Sequence, residues 1–181
     1  MIAQDKVQVN LRGLLLALLT LIVAIIYGTG AFANGDPLWF LPVFTARPIR
    51  IVVTDKGCKV ELFEGEKGFD DIYLAVNESL TQLDGVNEQF GFGQGSVQAY
   101  RDAERVVELF YPAPVTIHTN YRFGHPDSLF IPISGYFANS RAVFGGLNGD
   151  YWAGALRIKS LARIAGAAKQ VQCTLQQPQG P

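Results

Sequence analysis

The least ambiguous pattern along the chain is an uncharged, almost wholly apolar run from Gly13 to Ala33. At 1.5 Å rise per residue, about 20 such residues cover the ~30 Å hydrocarbon core of a bilayer. Helices of soluble domains usually carry a single apolar stripe, not an apolar circumference. The run predicts a transmembrane helix over 13–33, after a cytoplasmic N-terminus, 1–12. A linker bearing prolines and aromatics follows, 34–48, in which Trp39, Phe40 and Phe44 suit a membrane–water interface. A secretory signal peptide is the alternative. Ala31-Phe32-Ala33 fits a small-x-small cleavage site, cut after Ala33, and Lys6 and Arg12 form a basic leader. The run exceeds the usual signal core of about 7–15 residues, which favours an uncleaved signal anchor. Lys6 and Arg12 precede it, and the next basic residue is Arg47. The N-terminus is therefore expected in the cytoplasm and the following domain, 49–173, outside it.

Past the linker the period changes. Ile49, Ile51 and Val53 alternate with their neighbours, as do Lys59 to Phe63. Asp55-Lys56-Gly57 between them predicts a β-hairpin. Phe69, Ile72, Tyr73, Val76, Leu80 and Leu83 recur at helical steps, predicting a helix over 69–84 that Gly85 stops. Asp70 and Asp71 suit its first turn. Residues 86–95 read as a loop. Ser96 is a candidate cap for a second helix with Val97, Tyr100 and Ala103 inward. Strands are predicted at Val107–Tyr111, Val115–Thr119 and Ser128–Ile133, with Pro132 at a sheet edge or a strand end. Asn148-Gly149 predicts a hairpin joining Arg141–Leu147 to Asp150–Ile158. A C-terminal helix starts at Ser160, with Leu161, Ala165, Ala168 and Val171 on one side, before a tail, 174–181. The sum is an α+β fold: an N-terminal transmembrane helix, then a mostly antiparallel sheet packed with two or three helices.

Composition narrows the chemistry. A net charge of −1 leaves no basic field to hold nucleic acid. Two cysteines are too few for a four-cysteine zinc site. Both Cys58 and Cys173 fall in the outer part, where a disulfide between them would tie the C-terminal tail to the first hairpin. Gly91-Phe92-Gly93-Gln94-Gly95 lacks the strand and lysine of a phosphate loop and reads as a connector. Asn77-Glu78-Ser79 fits the glycosylation triplet but sits on a helix. His118, Arg122, His125 and Asp127 are the one candidate ligand or catalytic site, yet their spacing provides neither a metal shell nor an activated nucleophile. No cofactor is implied. From Leu109 to Leu156 the charged side chains are Arg122, Asp127, Arg141 and Asp150, against ten aromatics. A charge-poor, aromatic surface suits a protein interface, and Tyr136, Phe137 and Trp152 are its candidate contacts.

Arg47-Pro48-Ile49-Arg50-Ile51-Val52-Val53, Gly68-Phe69, Arg122-Phe123-Gly124 and Tyr151-Trp152-Ala153-Gly154 together resemble uncharacterised single-span bacterial membrane proteins with a small outer domain. That resemblance implies no activity and no functional residues. The sequence leads to a membrane-anchored extracytoplasmic domain that binds another membrane or envelope protein, as an accessory subunit of a membrane complex, without catalysis. The alternative is a small envelope or secreted enzyme, or a ligand-binding domain, using His118, Arg122, His125 and Asp127.

Overall fold

The computed structural model describes residues 10–92 and 96–171. Helix α1 (Leu11–Asn34) runs unbroken; the Asn10 side chain accepts from the Gly13 N–H at its start, and Gly35, left-handed, closes it. None of its residues is buried. Its length and composition are those of a membrane span or a signal sequence.

A seven-stranded antiparallel sheet with several helices follows, an α+β fold. The strands are β1 (Arg50–Asp55), β2 (Cys58–Leu62), β3 (Leu83–Asn87), β4 (Arg105–Phe110), β5 (Ser128–Pro132), β6 (Ala142–Leu147) and β7 (Asp150–Ile158). Their order is β2-β1-β4-β5-β6-β7-β3. Two tight hairpins set the register. Lys56 and Gly57, and Asn148 and Gly149, all have positive φ, the geometry that matches the twist of two-residue hairpins. Helix α2 (Phe69–Leu80) carries the chain from edge strand β2 to the opposite edge, β3, and α5 (Ala162–Lys169) packs against it. Helix α3 (Ser96–Ala103) and the single-turn α4 (Gly135–Asn139) supply cover for the other face.

Strand alternation feeds two cores. Ile51, Val53, Val107, Leu109, Leu129, Ile131, Val143 and Leu156 join Phe69, Ile72, Val76, Leu80, Ile164 and Ala168 in a largely aliphatic one. Val106, Phe130, Ala142, Phe144 and Ala155 face the other way, where Phe90, Phe92, Val97, Tyr100, Phe137 and Tyr151 pack on them.

Several expectations are corrected. The helix predicted over 69–84 ends at Leu80, and Leu83–Asn87 becomes β3, because β7 pairs with it, with a register shift between Leu83 and Gly85. The strand predicted at Val115–Thr119 is irregular backbone. Pro112, Pro114 and Pro126 have no N–H to extend a ladder, although Ile117 still reaches the aliphatic core. Pro132 takes the second of its two expected places, a strand end, and that strand lies in the middle of the sheet. Ala103 is exposed, and the last helix starts at Ala162 and buries Ile164, Ala167 and Ala168, with Ala165 only half-buried. Helix α4 had no forerunner in the sequence pattern. The 34–48 segment is no bare linker: Asp36 and Phe44 are buried, and Phe44 meets Tyr111 edge-to-face. Asn77 is also buried, its amide donating to the Ala46 carbonyl, so folding hides the glycosylation triplet's acceptor.

Candidate functional site

The histidines and their neighbours do not converge. His118 Nδ1 lies 2.8 Å from the buried Asp36 carboxylate, a link to the segment after α1. His125 Nδ1 pairs instead with Thr116 Oγ1 at 3.1 Å. Asp127 accepts from the Ser128 hydroxyl at 3.0 Å and from the Asn148 N–H at 2.8 Å, which fastens the β6–β7 turn. Arg122 is exposed, and no bond joins it to the other three among the described residues. Among the described residues no group of His, Cys, Asp or Glu could hold a metal ion.

The three candidate interface aromatics are divided as well. Phe137 is half-buried in the aromatic core, with rings of Phe90, Phe92, Tyr100 and Phe144 around it. Tyr136, beside it on α4, is 67% exposed. Trp152 lies across the sheet from both. It follows Tyr151, which faces the aromatic core, so strand alternation turns the indole the other way. There it packs edge-to-face on Phe123, and its ring occupies the space that any side chain at Gly145 would need.

Trp152 and Arg122 meet in a cleft of about 400 Å³, lined also by Glu88, Asn120, Tyr121 and Phe123. Three features build it. Gly124, with its positive φ, follows 120–123 and lies beside the Trp152 ring. In β7 the register shifts between its Tyr151 and Ala155 pairings, so 152–154 depart from the β6 ladder and the indole is re-aimed. Edge strand β3 and the residues after it form the remaining wall, held where the Gly154 N–H donates to the Phe90 carbonyl. Arg122 and Glu88 form no ion pair among the described residues. Among the described residues the cleft therefore offers a guanidinium and a carboxylate without an ion-pair partner and an aromatic wall, and no paired nucleophile and base.

Compared with known proteins, the chain matches no family model, no curated sequence and no solved structure. The resemblance carried by 47–53 and 151–154 thus supplies no residue roles, and the site stands on its geometry.

A second polar arrangement lies under α3. Glu108 is buried, its carboxylate gripped by two of the three Arg101 guanidinium nitrogens, Nη2 at 2.6 Å and Nε at 3.0 Å, while the Tyr151 hydroxyl donates to it at 2.7 Å. The Glu108 bond raises the Arg101 pKa further, and burial, then the Glu108 charge, push the Tyr151 phenol well up. Arg101 and Tyr151 both donate to the buried Glu108 carboxylate, which suits a structural role. Cys58 opens β2 and is not a free thiol, while Cys173 lies outside the described residues, as do Gly93–Gly95 of the glycine-rich stretch. Phe92 of that stretch is packed in the aromatic core, so it does more than connect.

Proposed function

We propose that this chain is a membrane-anchored domain, N-terminus cytoplasmic and sheet outside, which binds another membrane or envelope protein through the Trp152 cleft. The observation that carries the binding site is the meeting of Trp152, Tyr121 and Arg122 in one cleft. Tryptophan, tyrosine and arginine are the residues that dominate binding energy where a pocket receives a partner's side chain. The support for the anchor is a 24-residue helix exposed on every side, attached to a domain whose cores are complete without it. An uncleaved chain leaves intact protein in the membrane; a mature N-terminus at Asn34 in intact-mass analysis would replace the anchor with a secreted domain.

The disulfide expected between Cys58 and Cys173 belongs to the same reading. Arg105 holds the Ala168 and Val171 carbonyls at 3.1 and 3.0 Å and also reaches Asp55 at 3.7 Å, the residue that pairs with Cys58 across the hairpin. Arg105 thus ties the chain two residues before Cys173 to the residue opposite Cys58. Closing this loop of about 115 residues contributes about 4–5 kcal/mol in the chain-entropy account. Non-reducing peptide mapping of exported protein checks it, and two free thiols would refute it.

The binding claim is tested by co-purification of the detergent-extracted full chain. Trp152→Ala and Arg122→Ala are expected to release the partner, while Tyr136→Ala, His118→Ala and His125→Ala retain it. The reverse pattern would move the site to α4 or to the histidines. A second reading, a small ligand in the same cleft, is favoured by the cavity volume of about 400 Å³, inside the range of about 300–1,000 Å³ typical of such sites. Arg122 lines this cleft, and His118, His125 and Asp127 do not.

A further inference from the structure

The chain does not leave α1 in a straight line. Gly35 reverses it, the Asp36 carboxylate accepts from the Leu38 N–H at 2.9 Å, and the strap that follows returns alongside the helix. Trp39 lies on Gly30: a Cβ there would come within 2.5 Å of the indole, so only glycine permits the contact. Phe40 reaches farther back and meets Tyr27 edge-to-face at 6.1 Å. Tyr27 is two turns before the end of α1, about 10 Å along its axis at 1.5 Å per residue. Around these contacts Leu38, Phe40, Leu41 and Val43 are between 43% and 50% exposed. No charged residue stands between Asp36 and Arg47. Phe44 then enters the aliphatic core, which fixes the far end of the strap to the domain.

From this fold-back we infer that Leu38–Val43 is a second membrane-embedded element, an apolar wedge seated at the headgroup–acyl boundary of the leaflet from which α1 emerges. The inference rests on the anchor reading. Once α1 spans, Phe40 must share the depth of Tyr27, and lipid is then what covers the exposed strap. A depth of about 5–10 Å is that of interfacial apolar segments. The cleft between strap and domain supports this placement: Trp39, Phe40 and Pro42 share its lining with Lys159, whose ammonium suits lipid phosphate at headgroup level. Two attachments, one at each end of the strap, would hold the domain in one orientation on the bilayer.

Depth-dependent fluorescence quenching tests the wedge on the full chain in phosphatidylcholine vesicles. The chain has two tryptophans. With Trp39→Phe and Trp152→Phe as background, Phe40→Trp reports the strap and Leu18→Trp reports the helix. The Phe40→Trp emission is expected to be quenched at least twofold more by bromines near the headgroup end of the acyl chain than by aqueous iodide. The Leu18→Trp emission should respond most to bromines deep in the chain. If the Leu18→Trp chain is quenched by lipid and the Phe40→Trp chain only by iodide, the wedge is wrong and the anchor stands. If neither is quenched by lipid, the anchor reading fails and the wedge with it. Should the triple variant misfold, Trp152→Phe alone leaves Trp39 as the reporter, and adding Gly30→Leu should shift its emission by displacing the indole. An unchanged Trp39 spectrum in that pair would overturn the fold-back.

Discussion

Two groups of aromatic residues come from the same charge-poor stretch, Leu109 to Leu156, and meet opposite fates. Phe130 and Phe144 are sealed beneath α3 and α4, with Phe137 of α4 and Tyr151 packed on them half-buried, and Phe92 lies among them at ring separations from 4.6 to 5.1 Å for Phe130, Phe137 and Phe144. Tyr121, Phe123 and Trp152 lie on the other side of the sheet, at the rim of the aliphatic core, and border an open cleft. The first group spends its apolar surface inside the domain. The second keeps part of it available. Aromatic content alone therefore says nothing about binding; what separates the groups is whether a helix covers them.

The largest expected effect breaks the first group. Phe144 is fully buried, and Phe144→Ala should cost about 3–5 kcal/mol through lost transfer energy and a residual cavity. Urea denaturation measures it, and a loss under 1 kcal/mol would mean that the second core is not packed. Next comes the polar trio beneath it. Glu108→Ala strips Arg101 and Tyr151 of their shared acceptor and should cost about 2–3 kcal/mol, since Arg101 keeps some access to water. Replacing both Glu108 and Arg101 with leucine should recover much of that loss, and failure to do so would show a role beyond charge compensation.

Trp152→Ala sharpens the contrast. It should cost about 2 kcal/mol of partner affinity, near 30-fold in Kd, while destabilising the domain less than Phe144→Ala. Arg122→Ala should weaken the contact while leaving stability within about 0.5 kcal/mol, as for an exposed side chain. A smaller effect is pH-dependent. Burial pushes the Tyr111 and Tyr151 phenols well above the ordinary tyrosine value. Below that value both folded and unfolded chains keep these protons, and stability is undiminished. Above it the unfolded chain releases them and the folded chain does not, so stability falls as pH rises. Spectrophotometric titration should show these two phenols ionising only with alkaline unfolding, and reversible ionisation in the folded domain would contradict their burial.

Much of the fold was legible because local signals agreed with it. Asp55-Lys56-Gly57 and Asn148-Gly149 marked their hairpins, and the Phe69–Leu80 stripe marked α2. The misses have physical causes. Leu83 continues the helical stripe, so nothing local separates it from α2; its strand depends on β7, some 70 residues later. Gly85 read as a helix stop, but it lies in β3, beneath the Arg157 guanidinium. The site was harder still. His118, His125 and Asp127 are close in sequence, yet the partner of His118 is Asp36, 82 positions away. Trp152 was singled out with Tyr136 and Phe137, but period-two alternation and a local register shift put it on the opposite face, beside Arg122 from the rejected histidine cluster. A signal was present in Gly145: a glycine inside a strand marks the close approach of another group, here the indole.

The central claim, a working contact at the Trp152 cleft and not at α4, is tested most directly by site-specific photo-crosslinking of the membrane-held full chain. A photoreactive side chain is placed at position 122 in one variant and at position 136 in another. Both positions are exposed, so neither replacement disturbs a core. A discrete crosslinked protein is expected from position 122, lost on adding Trp152→Ala, and none from position 136. A crosslink from position 136 that survives Trp152→Ala, with none from position 122, would contradict it.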